Sequence, residues 1–253
     1  MPSHLSTIGI PVETEQQFWE LAQQVGPLAT GLPVIGGTYF QWTDSSGAEL
    51  WLQVTNDEEF IGMNPHFVGQ SSMTVRLTSR VRSEEGSPFD GGFYGWADPV
   101  SESDDSQQGL YPFVFDAPDF TRVADLELPA TVTVQMAAFA HEVEAFDSEE
   151  AYATAQTGDV KYASRSFIPS GLFRPDGVDE PLPEARAMIT GHVLVADRFL
   201  NTLTNQPFYW ALIETDGGTY DAVIDISLLS STPIVGGILS GSFWLSGRIV
   251  TSA

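Results

Sequence analysis

"TYFQWTDSSGAELWLQV", Thr38 to Val54, decides how the first third of this chain is read. Two runs with alternating side-chain character flank Asp44-Ser45-Ser46-Gly47, and together they predict a β-hairpin with a four-residue loop. Such a loop pairs Thr43 with Ala48. Directly opposite residues share a face, so Thr38, Phe40, Trp42, Glu49, Trp51 and Gln53 fall together. Ala48, Leu50, Leu52 and Val54 form the other, more aliphatic face. A carboxylate among three aromatic rings is unusual on a solvated surface. Partial burial there would raise its pKa and suit it to proton abstraction or metal binding. Glu49 is therefore the candidate catalytic residue, and Phe40, Trp42, Trp51 and Gln53 are candidate ligand-binding residues. The competing reading is structural: Glu49 accepts hydrogen bonds from a loop or pairs with an arginine.

Upstream, Leu5 to Val12 reads as a short strand. Thr14 and Gln17 have capping-box spacing, and Phe18, Leu21, Ala22 and Val25 share one helical stripe that ends at Gly26-Pro27. Downstream, "NPHFVG" reads as a loop and "SSMTVRLTSRV" as a strand, so residues 1–82 form a β-α-β-β-β module. Residues 83–129 combine the acidic, Ser-rich "SESDDSQQG" with dense aromatics and turn dipeptides, and are expected to form an irregular, loop-rich excursion. Residues 130–253 are β-rich: "ATVTVQMAAFAHEVEAF" as one long strand, "DSEEAYATAQ" as a short helix capped by Ser148, then further strands with a hairpin at Asp216-Gly217-Gly218. The fold class is thus α+β and β-rich, an N-terminal βαβββ module followed by an antiparallel, barrel-like or second-module half.

Composition narrows the function. Thirty-four acidic residues face nine arginines and one lysine, a net charge of −24. Such a field repels phosphate backbones and anionic lipid, so neither nucleic acid nor membrane is an expected partner. No apolar run is long enough for a membrane helix, no signal peptide is visible, and the cytoplasm is the expected location. With no cysteine, thiolate metal sites and cysteine nucleophiles are excluded. There is no GxSxG elbow, P-loop or dinucleotide fingerprint. His4, His66 and His192 show no ligand spacing. Arg248, at the end of an apolar strand, is expected to neutralise a buried carboxylate.

The runs "TIGIPVETEQQFWELAQQ" and "GTYFQWTDSSGAELWLQV" resemble a module of the vicinal oxygen chelate superfamily, which includes glyoxalases and extradiol dioxygenases. In that family each module supplies a first-strand ligand, often His, and a Glu on the strand after the hairpin. The resemblance places Glu49 at the glutamate position. Thr7, a poor ligand, takes the first-strand place. "TIGIPVETEQQF" aligns with "HEVEAFDSEEAY", so His141 matches Thr7 in the second half, and Asp221 roughly matches the second carboxylate. A divalent metal held by Glu49, His141 and Asp221 is what the resemblance implies. The C-terminal strands also resemble a small closed oligonucleotide/oligosaccharide-binding barrel.

Two functions follow from this reading. The first is a non-catalytic small-ligand-binding or assembly module with no cofactor, for which a homo-oligomer is compatible. The second is a metal-dependent lyase or dioxygenase-like enzyme.

Overall fold

A computed structural model describes residues 3–82, 86–99, 109–158, 161–170, 172 and 184–250. The acidic stretch 101–108 and most of the connector 176–185 lie outside the described residues. The architecture is α+β and β-rich, with two sheets. One helix, α1 (Glu15–Val25), precedes a four-stranded antiparallel sheet of β1 (Thr30–Val34), β2 (Gly37–Thr43), β3 (Ala48–Thr55) and β4 (Phe60–Phe67), in that order. The larger, mixed sheet holds β5 (Met73–Val81), β6 (Gly92–Ala97), β7 (Pro112–Asp116), β8 (Ala130–Phe146), β9 (Ser166–Pro169), β10 (Arg186–Leu200), β11 (Pro207–Thr215), β12 (Gly218–Asp225) and β13 (Ile238–Val250). A second helix, α2 (Glu149–Ala155), follows β8.

Long strands close the large sheet on itself. The 17-residue β8 pairs along most of its length with β13, while β12 binds its other edge. Pairings β12–β11, β11–β10 and β10–β13 complete a ring of five strands. Strands β5, β6 and β7 make a second circuit between β8 and β13. Alternate residues of these strands, among them Val75, Phe93, Phe115, Met136, Ala138, Ile213, Ala222, Phe243 and Leu245, gather in one buried apolar cluster. The opposite parity of β8 and β13 carries Gln135, Trp244, Ser246 and Arg248, which face away from that core.

Both helix caps match the sequence reading. Thr14 accepts from Gln17 N and the Gln17 side chain returns to the Thr14 amide, a closed capping box; Ser148 accepts from Ala151 N. Leu21, Ala22 and Val25 bury against Leu50, Leu52 and Ala48, as the stripe predicts.

Three expectations are corrected. Residues expected to form a first strand contain instead a 3-10 turn, Ser6–Ile8. There Thr7 Oγ1 donates to His4 O and Ser6 Oγ to Ser3 O, local bonds that compete with a strand ladder. "NPHF" is the end of β4, where Asn64 and His66 pair with Trp51 and Glu49 of β3. The 83–129 excursion supplies β6 and β7, whose apolar faces join the main core.

Candidate functional site

The hairpin register sorts the candidate residues. Asp44 N donates to Ala48 O at 2.8 Å, and Gly47 N to Asp44 O at 3.0 Å. Gly47 has φ +93°, a conformation that glycine adopts without a Cβ penalty. The connection is therefore three residues rather than four, and Thr43 pairs with Glu49, not with Ala48. The Asp44 carboxylate holds this turn by accepting from Ser46 N at 2.9 Å and from the Ser46 hydroxyl. A one-residue slip reverses which side chains share a face. Glu49, Trp51 and Gln53 lie with Tyr39, Gln41 and Thr43; Phe40 and Trp42 lie on the opposite face with Leu50 and Leu52.

The Glu49 face meets the large sheet along a buried polar seam. Glu49 is 2% exposed. Its Oε1 accepts from Gln41 Nε2 at 2.6 Å and Thr43 Oγ1 at 3.0 Å, and its Oε2 from Trp51 Nε1 at 3.0 Å and Arg248 Nη1 at 3.2 Å. The Arg248 guanidinium also lies 4.7 Å from the Trp51 ring centroid and 3.5 Å from Asp119. Both carboxylate oxygens are thus occupied by protein donors, and Arg248 does neutralise a buried acid.

Asp221, fully buried, accepts from Gln70 N, Ser71 N, Gln135 Nε2 and Trp210 Nε1 at 2.7–2.9 Å. His141 bonds elsewhere: its Nε2 is 2.8 Å from His4 Nε2, and the His4 ring stacks on Trp244 at 4.2 Å. The structure thus places Glu49, His141 and Asp221 in three sets of partners. Among the described residues no three His, Asp or Glu side chains gather as a metal-holding group.

Sequence spacing gave no sign of His66. It sits opposite Glu49 on β4 and is completely buried, with Nδ1 2.9 Å from Ser246 Oγ and Nε2 2.8 Å from Gln135 Oε1. Burial, and then the positive charge of Arg248, hold its pKa down at about 4, so the ring is neutral. Asp90 and Asp116 were missed too. The only available signal for His66 was alternation within β4, obscured by Pro65.

Phe40 points to a different concavity. Between α1 and the small sheet lies an open cup of about 580 Å³. Phe40, Leu52 and Val54 form its floor, and Trp19 and Phe60 form a wall in edge-to-face contact at 4.9 Å. Glu58, in the β3–β4 turn, supplies the one carboxylate of the rim. Trp42 is buried in the apolar cluster under α1 instead, and Trp51 and Gln53 belong to the seam. This cup therefore opens on the aliphatic face of the hairpin and not on the face of Glu49.

No protein-family model, curated protein or solved structure matches this chain. Among the described residues no helix is long and apolar enough to cross a membrane.

Proposed function

We propose that the protein is a small-ligand-binding module that works without chemistry, and that its ligand sits in the cup between α1 and the small sheet. The cup carries this reading. Its volume falls within the ordinary range for small-molecule sites, roughly 300–1,000 Å³, and such sites are mostly apolar with a few placed polar groups. Its floor is built on paired strands, so its shape is formed in advance. The rings of Trp19, Phe40 and Phe60 suit a flat apolar body, and Glu58 suits a cationic or hydrogen-donating end. The lining contains no nucleophile beside a base, which favours binding over catalysis.

Titration with naphthylmethylammonium and with its neutral analogue naphthylmethanol tests this. Both probes should bind saturably. Glu58→Gln should weaken the amine several-fold and leave the alcohol unchanged. Trp19→Ala, at an exposed position that should not disturb folding, should weaken both. Absence of saturable binding by either probe, or indifference to both substitutions, would dispose of the reading.

A further inference from the structure

Beside the polar seam, and separate from the cup, lies a cleft of about 200 Å³ whose polar lining is Asn64, Asp90, Asp116 and Ser246. The hydrogen bonds behind it set its polarity. Gln135 commits Nε2 to Asp221 at 2.7 Å, so it presents Oε1 to His66 Nε2 at 2.8 Å. His66 must then carry its proton on Nε2, and its Nδ1 is a bare lone pair. Ser246 Oγ, 2.9 Å from that Nδ1, turns its hydroxyl hydrogen toward His66 and away from the cleft.

Asn64 shares this polarity in part: one hydrogen of its Nδ2 goes to Asp90 Oδ1 at 2.7 Å, and its carbonyl oxygen stays an acceptor beside the second Nδ2 hydrogen. Asp90 Oδ1 takes Gln53 Nε2 as well, at 2.6 Å. Asp116 accepts the Trp244 indole N–H on Oδ2 at 2.6 Å, and its Oδ1 has no partner among the described residues. The polar side chains of the lining thus offer mostly acceptors, with the second Asn64 Nδ2 hydrogen as the one remaining donor, and two of them are carboxylates.

We infer that this cleft binds a small organic cation through an N–H-rich head, a primary ammonium or a guanidinium. Such heads carry several donors and no acceptor, the complement of this lining. A bare metal ion suits it less well. Calcium takes 6–8 oxygen ligands at 2.3–2.6 Å, whereas only two carboxylates line the cleft and no metal-holding group forms among the described residues. At about 30 Å³ per water of liquid volume, the space holds several heavy atoms rather than one ion. Burial and the nearby charge of Asp90 hold the Asp116 pKa up at about 6, opposed by the Trp244 hydrogen bond. An incoming cation would relieve that cost.

Calorimetric titration at about 0.15 M NaCl tests the inference, because the Debye length there is about 8 Å and diffuse attraction to the acidic surface is damped. The probes are methylguanidinium chloride, the neutral isostere N-methylurea, and calcium chloride. Methylguanidinium should bind at one saturable site, and N-methylurea should not. Asp116→Asn, which keeps an oxygen for Trp244, should weaken binding at least about tenfold, a 1.4 kcal/mol change. Asp90→Asn should weaken it similarly, and Trp19→Ala in the cup should leave it unchanged. The assignment is overturned by equal binding of N-methylurea, by unchanged affinity in a folded Asp116→Asn protein, or by calcium binding in place of the organic cation. Absence of saturable heat up to roughly 50 mM, which corresponds to a Kd weaker than the millimolar range, overturns it as well.

Discussion

Glu49 and Arg248 lie 199 positions apart in the chain and meet at 3.2 Å, one from the small sheet and one from the last strand of the large sheet. That contact joins the two sheets through a charge pair whose acid is almost wholly removed from water. Removing one partner of a buried pair strands the other charge. Arg248→Met should therefore cost about 3 kcal/mol in urea unfolding, and the Glu49→Gln, Arg248→Met double variant should recover much of that loss. Strict additivity of the two single changes would show that the pair is not coupled.

Gly69 is packed against the other buried carboxylate of the seam. A Cβ built there would lie 2.1 Å from Asp221 Cγ. Gly69→Ala must displace the carboxylate from the Gln70 and Ser71 amides, leaving buried groups unsatisfied, and should lower stability by about 2–4 kcal/mol. Gly26→Ala is the control, since its Cβ would stop 4.0 Å from Leu52, and its melting temperature should stay close to that of the parent. Equal melting temperatures for all three proteins would contradict the packing.

Acid should weaken the fold through its buried histidines. His66 is held at about 4, mainly by burial; His4 is also held at about 4, by burial and then by the charge of His141. Below the ordinary value of 6.5 the unfolded chain takes up protons that these folded sites refuse. Their contribution is therefore complete above pH 6.5 and is lost as pH falls toward 4. A shift of this size corresponds to about 3 kcal/mol for a fully buried ring. Thermal melts between pH 7.5 and pH 4.5 should show this loss, and His66→Gln should flatten the slope. A parent-like slope in that variant would remove His66 from the explanation.

Asp116 works in the opposite direction. Its pKa lies above the ordinary carboxylate value, so the folded state holds a proton more tightly between pH 3.8 and about 6, and stability falls as pH rises through that window. Asp116→Asn removes the ionisation. It should raise the melting temperature at pH 8 relative to the parent and have little effect at pH 4. An equal effect at both pH values would mean that Asp116 ionises freely in the fold.

Much of this architecture is legible from local chemistry. The capping box at Thr14 and Gln17, the Ser148 cap, the apolar stripe of α1, the 17-residue β8 and the Asp216-Gly217-Gly218 turn all follow from spacings within a few residues. The pairing of Arg248 with a buried acid also follows, because a cation at the end of an apolar strand needs a counter-charge. Register and long-range placement do not follow. Whether Asp44 ends a strand or enters the loop depends on its bonds to Ser46 and to Thr202, a residue 158 positions away. That one residue decides which face Glu49 and Phe40 occupy.

Gln135, Ser246 and Asp221 come from three strands of the large sheet and His66 from the small one, and His66 reaches Ser246 and Gln135 only when the two sheets dock. Periodicity along a chain tells which residues can share a face. Only the packed sheets decide which faces meet, because that choice rests on the summed burial and hydrogen bonding of segments far apart in sequence.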